Sequence, residues 1–526
     1  MMGAKRRPNF LLIMTDQHRA DHLGCYGNPI VRTPAIDGLS RQGLRFDNFF
    51  VANPICMPNR ASIMTGRMPS LTGVRHNGIA LSRNHANFVE LLRDSGYATA
   101  LIGKSHLQSF TGEPAVNRFK AEPGLATPPE PLRDAHKDHR TGAAYEYENI
   151  MQWPVTAQSR HKEDSFYGFD HFELVADHGD RACGDYRLWA LAREPNFDKL
   201  VGPGNALPDQ RIKAPQAWRT AVPEELYSTR FIEERTVAAL EQCALEPSKP
   251  FFIQMSFPDP HHPFTPPGKY WDMYDPADIP LPASFDNGDL PPIVRMREAL
   301  AKGSDPRNKQ SPFAVTASET RDIIALTYGS ISMIDDAIAR VRAKLAELEL
   351  DQDTIVIFTS DHGDFMGDHG IMLKLLLHYR GLIRVPFIWS EPGRNADIRP
   401  DLAQSIDIAP TILRRAGIQP YNGIQGRNLL EEAEPSSLVI EEDSQRPMTG
   451  FDRPQRVRTL VTRKWRMSVR DGEDWGELYD LENDPQEVAN LWNSPTTLAR
   501  KAELFEELAR RLIQLQDRSP LPAYLA

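Results

Sequence analysis

Short, unbroken apolar runs alternate along this chain with stretches of helical periodicity. The runs are Phe10 to Met14, Ala98 to Ile102, Phe251 to Phe257 and Thr354 to Thr359. A strand without polar alternation must be buried on both faces, and intervening helices supply the cover. The pattern predicts an α/β fold, a large mixed but mostly parallel sheet sandwiched by helices. Helical spacing at Phe88, Leu91 and Leu92, stopped by Gly96, leads into the second run. The longest helix is predicted from Thr316-Ala317-Ser318-Glu319, a capping-box spacing. It carries Ile324, Tyr328, Ile331, Ile334, Ile338, Val341 and Leu345 on one face.

After Gly423 the texture changes. Leu460 to Thr462, Trp465 to Val469 and Leu478 to Leu481 are short alternating segments joined by Gly and Asp turns, which predict a smaller antiparallel sheet. An amphipathic helix from about Leu498 to Gln516 and a Pro-containing tail, Ser519 to Ala526, follow. The expected organisation is a large domain over residues 1–422 and a small α+β subdomain with its tail over 423–526. Within the first, the stretches at about 110–220 and 258–315 have little periodicity and are rich in Pro, Trp, His and Arg. They read as insertions over a site. Proline is abundant, 43 residues in 526, and each one fixes φ and removes a donor, so long ordered loops are expected.

Composition then narrows the partners. With 40% hydrophobic and 25% charged residues, disorder, collagen and coiled coil are excluded. The net charge of −10 repels a phosphate backbone, so nucleic acid is not an expected partner, and an anionic substrate must meet a local cationic cluster. Cys25, Cys56, Cys183 and Cys243 lack the pairing of a zinc ribbon and the density of a disulfide scaffold, which suits a reducing compartment. Lys5-Arg6-Arg7 precedes an apolar run too short for a signal-peptide core, ended by Asp16, and it reads as a buried first strand. No apolar run approaches the roughly 20 residues that span a bilayer. A cytoplasmic protein with no membrane contact is expected.

Four predicted strands end in polar clusters: Thr15-Asp16-Gln17, Gly103-Lys104-Ser105-His106, Asp259-Pro260-His261-His262 and Ser360-Asp361-His362-Gly363. Open α/β sheets bind ligands just beyond these carboxyl ends, so the clusters describe one site. Asp16 and Asp361 follow buried runs, where a carboxylate needs a cation or several hydrogen bonds. Each alone reads equally well as a helix cap. The two with adjacent His362 point to a divalent metal. Cys56-Met57-Pro58-Asn59-Arg60 places a cysteine at a loop-to-helix junction with an arginine one turn later, which lowers a thiol pKa. A lone cysteine also reads as a small buried apolar residue. A cysteine phosphatase loop has five residues between Cys and Arg and does not fit the three that separate Cys56 from Arg60.

Cys56-Met57-Pro58-Asn59-Arg60, with Thr65-Gly66-Arg67 downstream, resembles the C-x-P-x-R hallmark of the formylglycine-dependent type I sulfatases of the alkaline phosphatase superfamily. Asn59 stands where Ser, Thr or Ala is more usual. Asp16, Lys104, His106, Pro260-His261-x-Pro263-Phe264, Asp361-His362-Gly363 and Lys374 occur in the family's order, and Gly476 to Leu481 with Asp484-Pro485 resembles its C-terminal segment. One Asp16 in place of two consecutive aspartates, and His362 where Asn is common, resemble the subgroup near choline sulfatase-like enzymes and phosphonate monoester hydrolases.

The resemblance implies an alkaline phosphatase-like fold and conversion of Cys56 to formylglycine by a maturation enzyme. One hydroxyl of the hydrate attacks sulfur or phosphorus, and the second breaks the covalent intermediate by re-forming the aldehyde. It implies one divalent metal, calcium or manganese, on Asp16, Asp361, His362 and residue 56. Arg60 is implied to hold the hydrate, and Lys104 and Lys374 to bind the non-bridging oxygens. His106 would be the base and His261 the acid toward the leaving oxygen, with Asn77 donating to the substrate. His262 reads as a loop residue, and Lys374 taken alone as a solvated lysine.

The function implied is hydrolysis of sulfate monoesters, arylsulfatase-type, with promiscuity toward phosphonate monoesters and phosphodiesters. The alternatives are a phosphonate monoester hydrolase or phosphodiesterase of the same superfamily, and a binding protein that keeps the fold without turnover. Lys104 and His106 favour the sulfate ester, while the alcohol (aryl, choline or sugar) stays open. Tyr524 and Leu525 in the tail are expected to pack on a neighbouring subunit of a homo-oligomer.

Overall fold

The computed structural model describes residues 7–116, 119–151, 165–308 and 310–525. Lys5 and Arg6 of the basic N-terminal patch lie outside the described residues. The strands, in chain order, are β1 Asn9–Thr15, β2 Leu44–Phe50, β3 Ala98–Gly103, β4 His171–Ala176, β5 Cys183–Gly184, β6 Phe251–Ser256, β7 Phe313–Ala314, β8 Thr354–Ser360, β9 Ile371–Met372, β10 Phe387–Ser390, β11 Asp397–Gln404, β12 Leu438–Asp443, β13 Arg456–Val461, β14 Trp465–Arg470 and β15 Glu477–Asp480.

Nine strands form one sheet in the order β11-β2-β10-β8-β1-β6-β3-β4-β5. β1 runs parallel to β6 and β8 at its centre, and β3 runs parallel to β6 and β4. Only β10 and β5 run against their neighbours. Successive side chains of a strand point to opposite faces, and both faces here are core. Phe10, Leu12 and Met14 join one apolar cluster with the helices Cys56–Thr65, Phe88–Asp94 and Ile408–Arg415. Leu11 and Ile13 join the other with Ser228–Ala244 and the helix Ala317–Glu347. Each such side chain removed from water contributes about 1.5–3 kcal/mol, which is why the central strands carry no polar alternation. The long helix starts as expected, with the Thr316 hydroxyl accepting from Glu319 N–H and the Glu319 carboxylate accepting from Thr316 N–H.

β12 to β15 form the four-stranded antiparallel C-terminal sheet, packed against the helix Leu498–Gln514 through Leu460, Met467, Leu478, Leu504 and Leu508. β12 begins before the segments recognised from the alternating pattern. β4, within the aperiodic stretch at 110–220, is a member of the main sheet. Tyr524 and Leu525 are exposed. Among the described residues no helix is long and apolar enough to cross a membrane.

Candidate active site

The parallel strands β1, β3, β6 and β8 deliver their polar ends to one place. β1 runs into Asp16, whose N–H donates to the Asp259 carbonyl after β6 at 3.2 Å, and Asp361 N–H donates to the Thr15 carbonyl at 3.1 Å. The end of β3 is set by Gly103, at φ 110°, where a Cβ would stand 1.9 Å from the Ser256 carbonyl oxygen. Only glycine allows that approach, and Lys104 N–H then donates to the same carbonyl at 2.9 Å.

Cys56 opens the helix Cys56–Thr65, fully buried along its length. Its Sγ lies 3.1 Å from His362 Nε2, 3.1 Å from Lys374 Nζ and 3.8 Å from Asp16 Oδ1. Burial and the Asp16 charge oppose a thiolate, yet Lys104, Lys374 and His362 bring the thiol down to about 6. Arg60, one turn along, donates Nε to Asp361 Oδ2 at 2.7 Å and Nη1 to the Lys104 carbonyl at 2.9 Å and Ser256 Oγ at 3.1 Å, while its Nη2 stands 3.7 Å from Asp16. Arg60 therefore ties β1, β3, β6 and β8 together beneath the nucleophile position. Asn59 Oδ1 accepts from Ala52 N–H and Ser405 Oγ, and its Nδ2 donates to the Asp361 carbonyl. This explains why an amide is useful at a position where a small side chain is more usual.

Lys104 Nζ pairs with Asp16 Oδ2 and lies 2.7 Å from His178 Nε2. Lys374 Nζ lies 2.9 Å from His261 Nε2 and 3.0 Å from His362 Nε2. His261 and His178 stack at 3.6 Å. His106 sits on the Lys104 and His178 side of the site, stacked on Phe110 at 3.8 Å, with no partner on its Nδ1. Burial, aided by neighbouring positive charge, holds His106 and His261 well below the usual histidine range, so both are neutral at pH 7. Asn77 is at the exposed rim, its Oδ1 accepting Met57 N–H at 3.2 Å. His262 bridges Gln17 and Gln310 and takes no part in the cluster around Cys56.

A divalent cation fits the donors present. One ligand atom each from Asp16, Cys56, Asp361 and His362 lie within 4.8 Å of one another, all buried. His362 Nδ1 donates to the Gly363 carbonyl at 2.8 Å, which orients the ring so that Nε2 faces the other three donors, where a bound cation would take the place of its proton.

Three functional side chains escape the sequence reasoning. His178 follows β4 as His106 follows β3, and recognising Leu174-Val175-Ala176 as a strand end would have found it. Glu148 is buried and accepts the backbone N–H groups of His106 and Gln108 at 2.5 and 2.7 Å. Burial raises its carboxyl to about 7. Glu442, on β12, accepts Leu376 N–H at 2.8 Å beside Lys374. Neither glutamate carries a local signal.

Known proteins share this architecture over nearly its whole length. Residues 8–418 match the family model described as Sulfatase, and residues 367–518 match N-sulphoglucosamine sulphohydrolase, C-terminal. An arylsulfatase of Clostridium perfringens is 29% identical over 503 residues, covering 93% of this chain and 91% of the relative. The multifunctional alkaline phosphatase superfamily protein PehA of Trinickia caryophylli is 29% identical over 523 residues, covering 94% and 93%. The solved structure of a phosphonate monoester hydrolase from Silicibacter pomeroyi superposes with a TM-score of 0.74 at 22% identity, over 98% of this chain and 96% of that one.

Proposed function

Since the chain belongs to the sulfatase family, we propose that it hydrolyses sulfate monoesters through a hydrated formylglycine made from Cys56, with a divalent metal, and also accepts phosphonate monoesters and phosphodiesters. That it is a sulfuric ester hydrolase follows from the family and its named relatives. The observation that carries the finer reading is the convergence of Cys56 Sγ with His362 Nε2, Lys374 Nζ and Asp16 Oδ1 in a buried cluster.

Asp16, Asp361, His362 and residue 56 would hold the metal, which supplies Lewis acidity and positive charge there. Arg60 orients Asp361 through its Nε contact. Lys104 and Lys374 put two cationic side chains beside residue 56, where they would hold and neutralise the non-bridging oxygens of the transferred group through the transition state. His261 Nε2, 2.9 Å from the Lys374 ammonium, would take a proton from it and pass that proton to the leaving alcohol oxygen. Neutral His106 takes the proton of the second hydroxyl as the aldehyde re-forms.

The test is the mass of a peptide spanning Cys56, from protein made in a host with a maturation enzyme. Replacement of the thiol sulfur by an aldehyde oxygen is expected, and an unmodified thiol with full activity overturns the mechanism. Single Asp16, His362 and Asn77 favour a second reading, in which phosphonate monoesters are the better substrates. Specificity constants for an aryl sulfate and an aryl phosphonate separate the two, and a strong phosphonate preference makes the second reading the correct one.

A further inference from the structure

Behind the loop that carries Asp361 and His362 lies a cavity of about 250 Å³. Arg19, Arg380 and Arg384 face it together with Asp21, Asp368 and Glu487, so its charges look balanced until the pairs are traced. Arg19 donates to Asp21 and to Asp368, at 2.7 Å each, and so engages both aspartates. Glu487 pairs with Arg466 and accepts the backbone N–H of Arg380. Arg384 gives Nε to the Asp47 carbonyl at 2.7 Å and lies over the Tyr26 ring. Among the described residues, no carboxylate forms an ion pair with either the Arg380 or the Arg384 guanidinium.

Two donors in this cavity are orphaned: Arg380 Nε and His369 Nε2 are buried with no acceptor. Burial and the neighbouring Arg384 charge lower the Arg380 guanidinium to about 10 against the pull of Glu487, Asp21 and Asp47, and burial lowers His369 to about 4, which leaves it a neutral imidazole. Arg380 and Arg384 are half-buried; a buried donor without an acceptor, as at Arg380 Nε, is costly, and two guanidinium groups four residues apart also repel each other. A planar guanidinium pair with a third N–H donor suits tetrahedral oxyanions.

We propose that this cavity is an oxyanion site, taking inorganic sulfate or phosphate between Arg380 and Arg384 with His369 Nε2 as third donor. It is separate from the Cys56 cluster and joined to it by backbone. The Leu382 carbonyl accepts Gly363 N–H at 2.8 Å, and the Gly381 carbonyl accepts Asp364 N–H at 3.2 Å. An anion held by Arg380 and Arg384 therefore braces the segment that supports Asp361 and His362.

Two measurements test this. Crystals of the unaltered chain soaked in selenate should show an anomalous peak within hydrogen-bond reach of Arg380 and Arg384, distinct from any peak beside Cys56. Isothermal titration with sodium sulfate and, separately, sodium phosphate at fixed ionic strength should show one binding equivalent that the R380Q/R384Q double variant loses or binds at least tenfold more weakly. The anion lost by the larger factor identifies the occupant. A selenate peak confined to the Cys56 cluster overturns the proposal, as does unchanged stoichiometry and affinity in a folded variant. Should the variant not fold, the selenate experiment decides alone.

Discussion

Removal of the Glu442 carboxylate should disable Lys374 without touching it. Lys374 sits in a segment whose backbone is held away from ordinary geometry, with Leu373, Leu375 and Leu376 at φ of 72°, 107° and 65°. For leucine the left-handed region costs roughly 1–2 kcal/mol per residue, so the segment stores roughly 3–6 kcal/mol. Glu442, fully buried, opposes this by accepting Leu376 N–H at 2.8 Å and His378 Nε2 at 2.9 Å, and His378 Nδ1 is fastened in turn to Thr459 Oγ1 at 2.7 Å. Two charge-assisted bonds at roughly 1.5–3 kcal/mol each are worth about as much as the strain. In E442A the segment relaxes, and Lys374 leaves its contacts with Cys56, His261 and His362.

Losing one such electrostatic group costs about 10²–10³ in kcat, so E442A and K374A should be impaired to a similar degree on an aryl sulfate. The double variant should be no slower than either single one, because the second change removes a group already displaced. E442Q, which retains an acceptor oxygen, should fall between. Parent-like kcat in a thermally destabilised E442A would refute the reasoning, as would multiplicative losses in the double variant.

H178A should lower kcat by about 10–100-fold on the scale of a lost orienting partner, because Lys104 loses the imidazole at 2.7 Å and His261 its stacking partner. Rescue by H178N, measured as recovered kcat, distinguishes the hydrogen bond from the ring. Exhaustive chelation should abolish turnover while the far-ultraviolet dichroism stays that of the parent, and addition of manganese or calcium should restore activity; full turnover in the chelated protein counts against the metal. Asp335, buried on the helix Ala317–Glu347, accepts Ala35 and Ile36 N–H at 3.0 and 2.8 Å, and burial raises its carboxyl to about 6. Raised above its unfolded value near 4, this carboxyl costs stability as pH rises from about 4 to about 6, by up to roughly 3 kcal/mol. D335N should flatten that part of the stability–pH curve in denaturant titrations, and an unchanged slope would show that Asp335 does not set it.

Legibility in the sequence follows burial on both faces. β1, β3, β6 and β8 read as continuous apolar runs because the two core clusters claim alternate residues of each. β2 interleaves Arg45, Asp47 and Asn48 with its phenylalanines, β4 begins with exposed His171, and β11 contains Pro400 and exposed Asp397. These strands lie toward the sheet's edges, where one side or one end meets water, and their patterns are diluted. β12 is hidden differently: its Glu441-Glu442-Asp443 end looks like a solvated loop, although Glu441 and Glu442 are buried as acceptors.

The site divides along the same line. Asp16, Lys104, His106, His261, Asp361 and His362 each follow a legible strand, so their grouping can be read from order alone. The groups that orient them cannot. Glu148 reaches His106 N–H from 42 positions away and Glu442 reaches Leu376 N–H from 66, and leucine is no turn residue that would announce a left-handed backbone. Lys374 is visible in the sequence only through family resemblance, because what places it is a carboxylate on another sheet. The cationic cluster that an acidic chain needs in order to hold an anion is thus legible in its members. Its rigidity is not, since that depends on contacts between segments far apart in the chain.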